Sequence, residues 1–337
     1  MSLIKTNQVR MFRWIDGMSD ACTYNLAKND LHFPDPEKAG IDHHDEETLV
    51  NSKDIRREYI RAIGSLLGVD EIYIHPVSSG STAIYISTLL MKTMTEKVMI
   101  PKPEYEPMYS AASLAGLEIE EFSMGDELHG KKIMMSLPNN PLGIRPDSFL
   151  NDVREGENIL FADETFILFN RKKRTAFKPH SGIIVSGTTT KYFGLSPMKA
   201  GWIICDDEYS DDLINIIDTV SPGVPAHSMW AASMVMKHLK YFEERAKLIM
   251  ERNLSMVHDF VSDHRKLSWI KPDSAPVGFI NFGEKGSVDL CTRILKKTGV
   301  LLVPGEFMHD DSGFRISFIL ETEKLQEALD RIDPFFK

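Results

Sequence analysis

Residues 186–194 have the sequence SGTTTKYFG, and Lys191 is the only charged residue in this run. The hydroxyl groups just before it suit the binding of an anion, and a lysine amine can form a Schiff base with a carbonyl. Most lysines are solvated surface charges, so the run alone leaves a structural role open. The segments around it decide between the two interpretations.

Short apolar runs before Lys191 predict buried strands, because each ends in Pro, Gly or Asp. These runs are residues 71–77, 97–101, 132–138, 158–163 and 182–187. Several gaps between them are long enough for a helix, and residues 54–67 carry apolar side chains at helical spacing. The alternation predicts an α/β fold with a mostly parallel sheet sandwiched by helices. Functional side chains are then expected just beyond the carboxyl ends of the strands.

The sequence changes character after about residue 228. Residues 228–260 are charged and helix-forming, which predicts a connecting helix. Apolar runs at 275–282, 299–305 and 314–320 predict strands, and residues 325–336 predict a closing helix. We therefore predict three parts. They are an N-terminal arm with part of a small domain (1–45), a large domain (46–230), and the connecting helix with a smaller α+β C-terminal domain (231–337).

Composition argues against several classes of protein. The 337 residues carry a net charge of −10, which gives no basic face for nucleic acid. No apolar stretch approaches the roughly 18 residues of a membrane span, and the polar N-terminus is unlike a secretory signal. Cys22, Cys205 and Cys291 are far apart, so we expect no disulfide framework and a cytoplasmic location. The adjacent His43 and His44 would point about 100° apart on a helix, which disfavours a shared metal ion.

Polar residues follow three of the predicted strands. Gly80, Ser81 and Thr82 open a helix after the first, where backbone N–H groups suit a phosphate, although a plain helix cap fits equally well. Asn140 lies in the sequence PNNP, which by default predicts a tight turn. In a functional role its amide would donate a hydrogen bond to a phenolic oxygen. Asp163 ends an apolar strand, where a carboxylate is costly unless it is paired or caps a helix.

Two more residues extend this set. Tyr105 could stack on a flat ring or be an ordinary half-buried tyrosine. Arg315 lies inside the apolar run 314–320, where its guanidinium needs a carboxylate or phosphate, from a ligand or from an internal salt bridge. Together with Lys191 and Asp163, these are the residue types that pyridoxal 5′-phosphate (PLP) requires.

The motifs occur in the order GST, PEY, PNNPLG, DETF, TTTKYFGLSPMKAGW, VGF, VPG and FRISF. This order resembles the fold-type-I PLP-dependent enzymes, and among them the class I/II aminotransferases with their short histidinol-phosphate branch. The resemblance covers nearly the whole chain. It implies an aspartate-aminotransferase-like large domain and a homodimer with active sites at the subunit interface. It also implies transfer of an amino group between an L-amino acid and a 2-oxo acid, of aspartate or histidinol-phosphate type.

The same resemblance implies a role for each candidate residue. Lys191 forms the internal aldimine and, once displaced by substrate, moves the proton between substrate and cofactor. Asp163 pairs with the pyridinium nitrogen, Asn140 bonds the ring oxygen and Tyr105 stacks on the ring. Arg315 grips the substrate α-carboxylate. The contacts to the phosphate fall to Gly80, Ser81, Thr82, Thr188 and Lys199.

Three features depart from the family's pattern. Phe166 stands where a tyrosine usually bonds the ring oxygen, and Lys199 stands where an arginine usually clamps the phosphate. The tyrosine that the partner subunit commonly contributes has no counterpart in residues 43–57. The threonine-phosphate decarboxylases, which resemble this family, also have phenylalanine at the position of Phe166. A decarboxylase of a phosphorylated amino acid is therefore the alternative to an aminotransferase. A ligand-sensing regulator without catalysis is a weaker one, because no basic segment suggests a DNA-binding domain.

Overall fold

The computed structural model describes residues 9–41, 52–170, 172 and 174–337. The strands are β1 (Tyr24–Asn25), β2 (Ile74–Val77), β3 (Lys97–Pro101), β4 (Glu118–Phe122), β5 (Lys132–Ser136), β6 (Ile159–Asp163), β7 (Ile183–Thr188), β8 (Gly201–Ile204), β9 (Val277–Asn281), β10 (Val300–Leu301), β11 (Val303–Pro304) and β12 (Gly313–Ser317). The α-helices are α1 (Arg10–Met18), α2 (Pro36–Ala39), α3 (Ser52–Leu67), α4 (Gly80–Met94), α5 (Glu106–Leu114), α6 (Asp147–Glu155), α7 (Asp207–Val220), α8 (Ala226–Lys237), α9 (Leu239–Leu248), α10 (Leu254–Asp263), α11 (Ser287–Thr298) and α12 (Thr322–Ile332).

Seven strands form the central sheet in the order β2-β8-β7-β6-β5-β3-β4. The pairs from β4 across to β7 are parallel, whereas β8 runs antiparallel to both β7 and β2. This confirms the predicted α/β fold with a mostly parallel sheet. The carboxyl ends of β2, β3, β5, β6 and β7 therefore meet at one edge.

Alternate side chains of the strands enter two cores, one on each face of the sheet. Phe161 of β6 and Ile184 of β7 pack with α4, α5 and α7, while Leu160 and Val185 pack in the larger core on the other face. Both faces are thus covered by apolar contacts, which explains why these strands are nearly continuous apolar runs.

The register aligns three polar residues at the carboxyl edge. Ser136 at the end of β5 pairs with Asp163 at the end of β6, and Asp163 pairs with Ser186 in β7. Residues that are far apart in the sequence therefore lie side by side on neighbouring strands. The helix α4 begins at Gly80, three residues after β2 ends at Val77, and its N-terminus faces the same edge.

Several elements differ from the sequence-based expectation. The run 299–305 forms two short strands in different sheets, since β10 pairs with β1 and β11 pairs with β12. The predicted connecting helix comprises α8, α9, a π-helical turn at Ile249–Asn253 and α10. The strands β4 and β8 were not predicted from their sequences.

The C-terminal strands form a separate small sheet in the order β11-β12-β9. The N-terminal segment lies against this part of the molecule, because β1 pairs with β10 and the Trp14 indole donates to the Leu302 carbonyl at 2.8 Å. The domain boundaries at residues 45/46 and 230/231 stay a prediction. Among the described residues, no helix combines the length and apolarity that a membrane crossing requires.

Candidate active site

A cavity of about 210 Å³ opens at the carboxyl edge of the central sheet. Eight of the ten predicted site residues line it, and Phe166 lines it as well. The eight are Gly80, Ser81, Tyr105, Asn140, Asp163, Thr188, Lys191 and Lys199. Thr82 and Arg315 are not among the lining residues. The structure therefore gathers at one place residues that span more than a third of the sequence.

Lys191 lies in the loop between β7 and β8 and points into the cavity. Its Nζ is 3.6 Å from the Asp30 carboxylate, which also accepts a hydrogen bond from Ser196 at 2.8 Å. Burial lowers the pKa of Lys191, and the charge of Asp30 partly opposes that shift. A larger share of the amine is therefore unprotonated, and so nucleophilic, than in an exposed lysine.

A steric constraint explains why the SGTTTKYFG run ends in glycine. Gly194 adopts a φ of +69°, and a Cβ there would lie 2.4 Å from the carbonyl oxygen of His32. The N-terminal segment passes over the loop at this point, and the Leu31 N–H donates to the Lys191 carbonyl at 3.1 Å. Gly194 thus allows the segment that carries Asp30 to lie directly against Lys191.

Asp163 is a buried carboxylate at the end of β6. Its Oδ1 accepts hydrogen bonds from Thr165 at 2.8 Å and from Ser186 at 3.0 Å. Burial raises its pKa, and none of the described lysines or arginines forms an ion pair with it. A positively charged group bound in the cavity would stabilise the ionised form.

The N-terminus of α4 forms another wall of the cavity. Ser79 caps the helix, since its Oγ accepts from the Thr82 N–H at 3.1 Å. The Thr82 hydroxyl bonds Ser78 and Ser79 rather than facing the cavity. A Cβ at Gly80 would lie 3.2 Å from Thr188, so the helix end and β7 are in close contact. The helix dipole and the exposed cation of Lys199 both favour an anion here.

Arg315 lies behind Asn140 and is almost completely buried. Its Nη1 donates to the Asn140 Oδ1 at 3.1 Å and its Nη2 to the Ala27 carbonyl at 2.7 Å. The bond to Oδ1 orients the Asn140 amide, so that its NH₂ group is the part left to face the cavity. The Arg315 Nε has no hydrogen-bond partner among the described residues. Burial lowers the pKa of Arg315 to about 10.

Several residues at the cavity were not predicted from the sequence. Phe12 and Asn29 line it from the N-terminal segment, and Phe12 makes an edge contact with Tyr105 at 6.4 Å between ring centroids. Asp30 does not line the cavity but lies 3.6 Å from the Lys191 amine. Ser136 lines the cavity at the end of β5. The end of an apolar strand was a usable signal for Ser136, but none existed for Asp30, whose role depends on a tertiary contact. The predictions for His43 and His44 concern residues outside those described.

The cavity fits PLP in charge and in the kinds of group it presents. A lysine with a lowered pKa can bind the aldehyde, a buried carboxylate without a cation can bind the ring nitrogen, and a helix N-terminus can bind the phosphate. All three face the same cavity.

Residues 23–332 match the family model of aminotransferase class I and II. Capreomycidine synthase of Streptomyces vinaceus is 21% identical over 95% of this chain and 89% of its own length. Histidinol-phosphate aminotransferase 2 of Archaeoglobus fulgidus is 20% identical over 89% of this chain and 94% of its own. The crystal structure of a PLP-dependent aminotransferase from Streptococcus suis has the same fold, with a TM-score of 0.82 over 99% of both chains at 18% identity. This chain therefore belongs to the aminotransferase class I and II family and is a PLP-dependent aminotransferase.

Proposed function

We propose that the protein transfers an amino group between an L-amino acid and a 2-oxo acid, with Lys191 as the residue that binds PLP. The observation that carries this proposal is the shared cavity of Lys191, Asp163 and the N-terminus of α4. When bound, PLP supplies an aldehyde that reacts with amines and a ring that withdraws electrons from the adjacent carbon.

Lys191 has two tasks in this proposal. Its amine would first hold the cofactor. Once the substrate amine has replaced it, the freed amine would take the proton from the substrate α-carbon and deliver it to the cofactor carbon that carried the aldehyde. The lowered pKa supports both tasks, because only the neutral amine attacks a carbonyl or accepts a proton. Asp30, at 3.6 Å, is placed to orient the amine when it carries the proton.

Asp163 keeps the ring nitrogen protonated, and its hydrogen bonds from Thr165 and Ser186 hold the carboxylate in place. Tyr105 stacks on the ring, and Asn140 donates its amide to the ring oxygen. The phosphate binds at the N-terminus of α4 through Gly80, Ser81, Thr188 and Lys199, with Thr82 supporting the helix cap.

Arg315 binds the substrate α-carboxylate in this proposal. It lacks an anionic partner among the described residues, and a bidentate carboxylate would satisfy its free donors. The amino donor is an L-amino acid of the aspartate type, or histidinol phosphate, in which a phosphate ester takes the place of the carboxylate; one relative is named for the latter reaction. We also propose a cytoplasmic homodimer, and the three free cysteines suit a reducing compartment.

Loading with PLP tests the role of Lys191. The purified protein should be yellow with PLP, and borohydride should fix the cofactor covalently to Lys191. Lys191→Ala should keep its fold by circular dichroism but lose the covalent adduct and turnover. Lys178→Ala, at an exposed lysine, is the matched control and should behave as the wild type. An adduct of wild-type yield in Lys191→Ala would reject the assignment.

A panel of amino donors with 2-oxoglutarate tests the reaction. Glutamate should form with at least one donor, and the absorbance of the cofactor should change in each half reaction. Release of CO₂ from a phosphorylated amino acid without glutamate formation would favour the decarboxylase alternative instead.

A further inference from the structure

Glu104 is a completely buried carboxyl group next to the active site, and the proposed reaction does not use it. Its Oε1 contacts the Tyr105 N–H at 2.7 Å and is in a short hydrogen bond with the Ser136 hydroxyl. Its Oε2 accepts from the Ser136 N–H at 3.0 Å and from the Asn139 amide at 3.1 Å. Glu104 therefore joins the end of β5 to the residue that precedes α5, Tyr105.

Ser136 connects this carboxyl to the cavity. Its Oγ accepts a hydrogen bond from the Asn140 N–H at 2.7 Å, and the residue lines the same cavity as Asn140 and Phe166. A serine hydroxyl accepts up to two hydrogen bonds and donates one. If Glu104 is protonated and donates to Ser136, both acceptor positions are filled and the Ser136 hydrogen is free to point into the cavity. If Glu104 is ionised, that hydrogen is drawn back to Glu104.

The surroundings favour the protonated form of Glu104. Burial raises its pKa to about 8, even though the hydrogen bonds from Ser136 and from the Tyr105 N–H oppose the shift, and the charge of Asp163 on the neighbouring strand adds to it. Tyr109 of α5 is the other titratable group acting with it, since Glu104 contributes to the raised pKa of that phenol. No described lysine or arginine forms an ion pair with Glu104. Near pH 7 the carboxyl is then largely neutral.

We propose that Ser136, held by the protonated Glu104, donates a hydrogen bond to the ring oxygen of bound PLP and so replaces the hydroxyl that Phe166 lacks. The ring oxygen would then accept hydrogen bonds from both Ser136 and Asn140. These two residues are in contact, because the Ser136 Oγ also accepts a hydrogen bond from the Asn140 N–H. This inference rests on the proposed function, which places the ring oxygen beside Asn140.

The pH titration of the visible absorbance of the PLP-loaded enzyme tests the donor. A hydrogen bond to the ionised ring oxygen lowers the titration midpoint, so Ser136→Ala should raise it by roughly one to two pH units, as expected for one hydrogen bond to a charged group. Phe166→Tyr in the same variant should lower it again. Ser233→Ala removes another buried serine hydroxyl, one that donates only to the Met229 carbonyl, and should leave the midpoint unchanged.

A double-mutant cycle separates direct donation from an effect through Asn140. Ser136→Ala should still raise the midpoint when Asn140→Ala is already present. If the rise disappears in that background, Ser136 acts only by positioning Asn140 and the proposal is overturned. An unchanged midpoint in the single variant overturns it too.

Infrared spectroscopy of the protein without added PLP tests the state of Glu104 independently. A protonated-carboxyl band should be present at pH 7, should titrate near pH 8 and should be absent from Glu104→Gln. Glu164→Gln identifies the contribution of a second buried glutamate with a raised pKa, which burial brings to about 7. A wild-type spectrum without a Glu104 band at pH 7 overturns the proposal. If PLP does not attach to Lys191 at all, the proposed function fails first, whatever the infrared result.

Discussion

Arg315 illustrates how much a single side chain depends on its surroundings. It is 1% exposed and donates hydrogen bonds only to neutral acceptors among the described residues, which are the Asn140 amide oxygen, the Ala27 carbonyl and the Met11 sulfur. A buried guanidinium with neutral acceptors and an unpartnered Nε is costly. The arrangement is stabilised when a carboxylate arrives, and this gives the substrate α-carboxylate a reason to bind there.

Arg315→Lys keeps the positive charge but removes the planar fork. We expect kcat/KM to fall for every amino acid donor, by about 2–4 kcal/mol in transition-state stabilisation. Amines without a carboxylate should be almost unaffected, and steady-state kinetics with matched amine and amino acid pairs measures the difference. An equal loss for plain amines would make Arg315 structural, and a loss for one amino acid alone would place it at the substrate side chain.

Single residues were predictable from the sequence when a strand end or a motif marked them. Lys191, Asp163 and Asn140 follow apolar strands or lie in distinctive runs, and all three line the cavity. Asp30 and Glu104 carry no such mark, because their roles arise from contacts with residues that are distant in the sequence. Asp30 contacts Lys191, 161 residues further along the chain, and Glu104 contacts Ser136, 32 residues further along. Pairings of this kind depend on the fold and not on local sequence.

At the level of elements, the helix α1 has an unusual N-terminal cap. Val9 at the N-cap position offers no side-chain acceptor, and the Glu106 carboxylate of α5 accepts the Arg10 N–H at 3.0 Å and the Met11 N–H at 2.6 Å instead. The Arg10 side chain also pairs with Glu306 at 2.7 Å. These contacts hold Phe12 at the cavity and Met11 against Arg315.

Glu106→Ala should therefore loosen α1 without unfolding the central sheet. Two helix N–H groups lose their acceptor, which costs about 1–2 kcal/mol for a cap of this kind. Hydrogen exchange followed by mass spectrometry should show reduced protection in residues 10–18 and unchanged protection in β5 and β6. Glu127→Ala, at an exposed position, is the control. Unchanged exchange in α1 would show that Glu106 does not hold the helix.

Apolar runs in the sequence predict some of the strands but not others. The runs 97–101, 132–138, 158–163 and 182–187 were predicted as strands because burial on both faces makes them apolar, and β3, β5, β6 and β7 lie within or next to them. The strand β4 has the sequence EIEEF and lies at the edge of the sheet with several exposed side chains, so it lacks that signal. The split between β10 and β11 is set by two different partner strands, which a continuous apolar run does not reveal.

For the whole molecule, the buried carboxyl groups make stability depend on pH. Burial raises the pKa of Glu104 to about 8, that of Glu164 to about 7, and that of Asp163 above its usual range. In the unfolded chain these groups ionise near their ordinary pKa values. The folded protein therefore retains protons that the unfolded chain has lost, and the free energy of unfolding falls as pH rises through the raised pKa values.

His75 acts in the opposite direction, but over a different range of pH. Burial lowers its pKa to about 4, so the unfolded chain binds a proton that the folded protein excludes between about pH 4 and its ordinary value of 6.5. This contribution makes stability increase with pH, and it fades as the unfolded chain loses its His75 proton above pH 6.5. The part of the curve from pH 7 to 8 therefore reflects the buried carboxyl groups much more than His75.

In the absence of PLP, the free energy of unfolding should decrease from pH 6.5 to pH 8, and Glu104→Gln should reduce that decrease. Each retained proton contributes a slope of at most about 1.4 kcal/mol per pH unit. Urea titrations at half-unit intervals would measure it, and the comparison uses slopes because the substitution also changes hydrogen bonds and hence absolute stability. Glu164→Gln should affect mainly the part of the curve below pH 7, because the folded protein loses that proton near pH 7. If the Glu104→Gln curve keeps the wild-type slope between pH 7 and 8, Glu104 is ionised in the folded protein, and the neutral carboxyl required to free the Ser136 hydroxyl is absent.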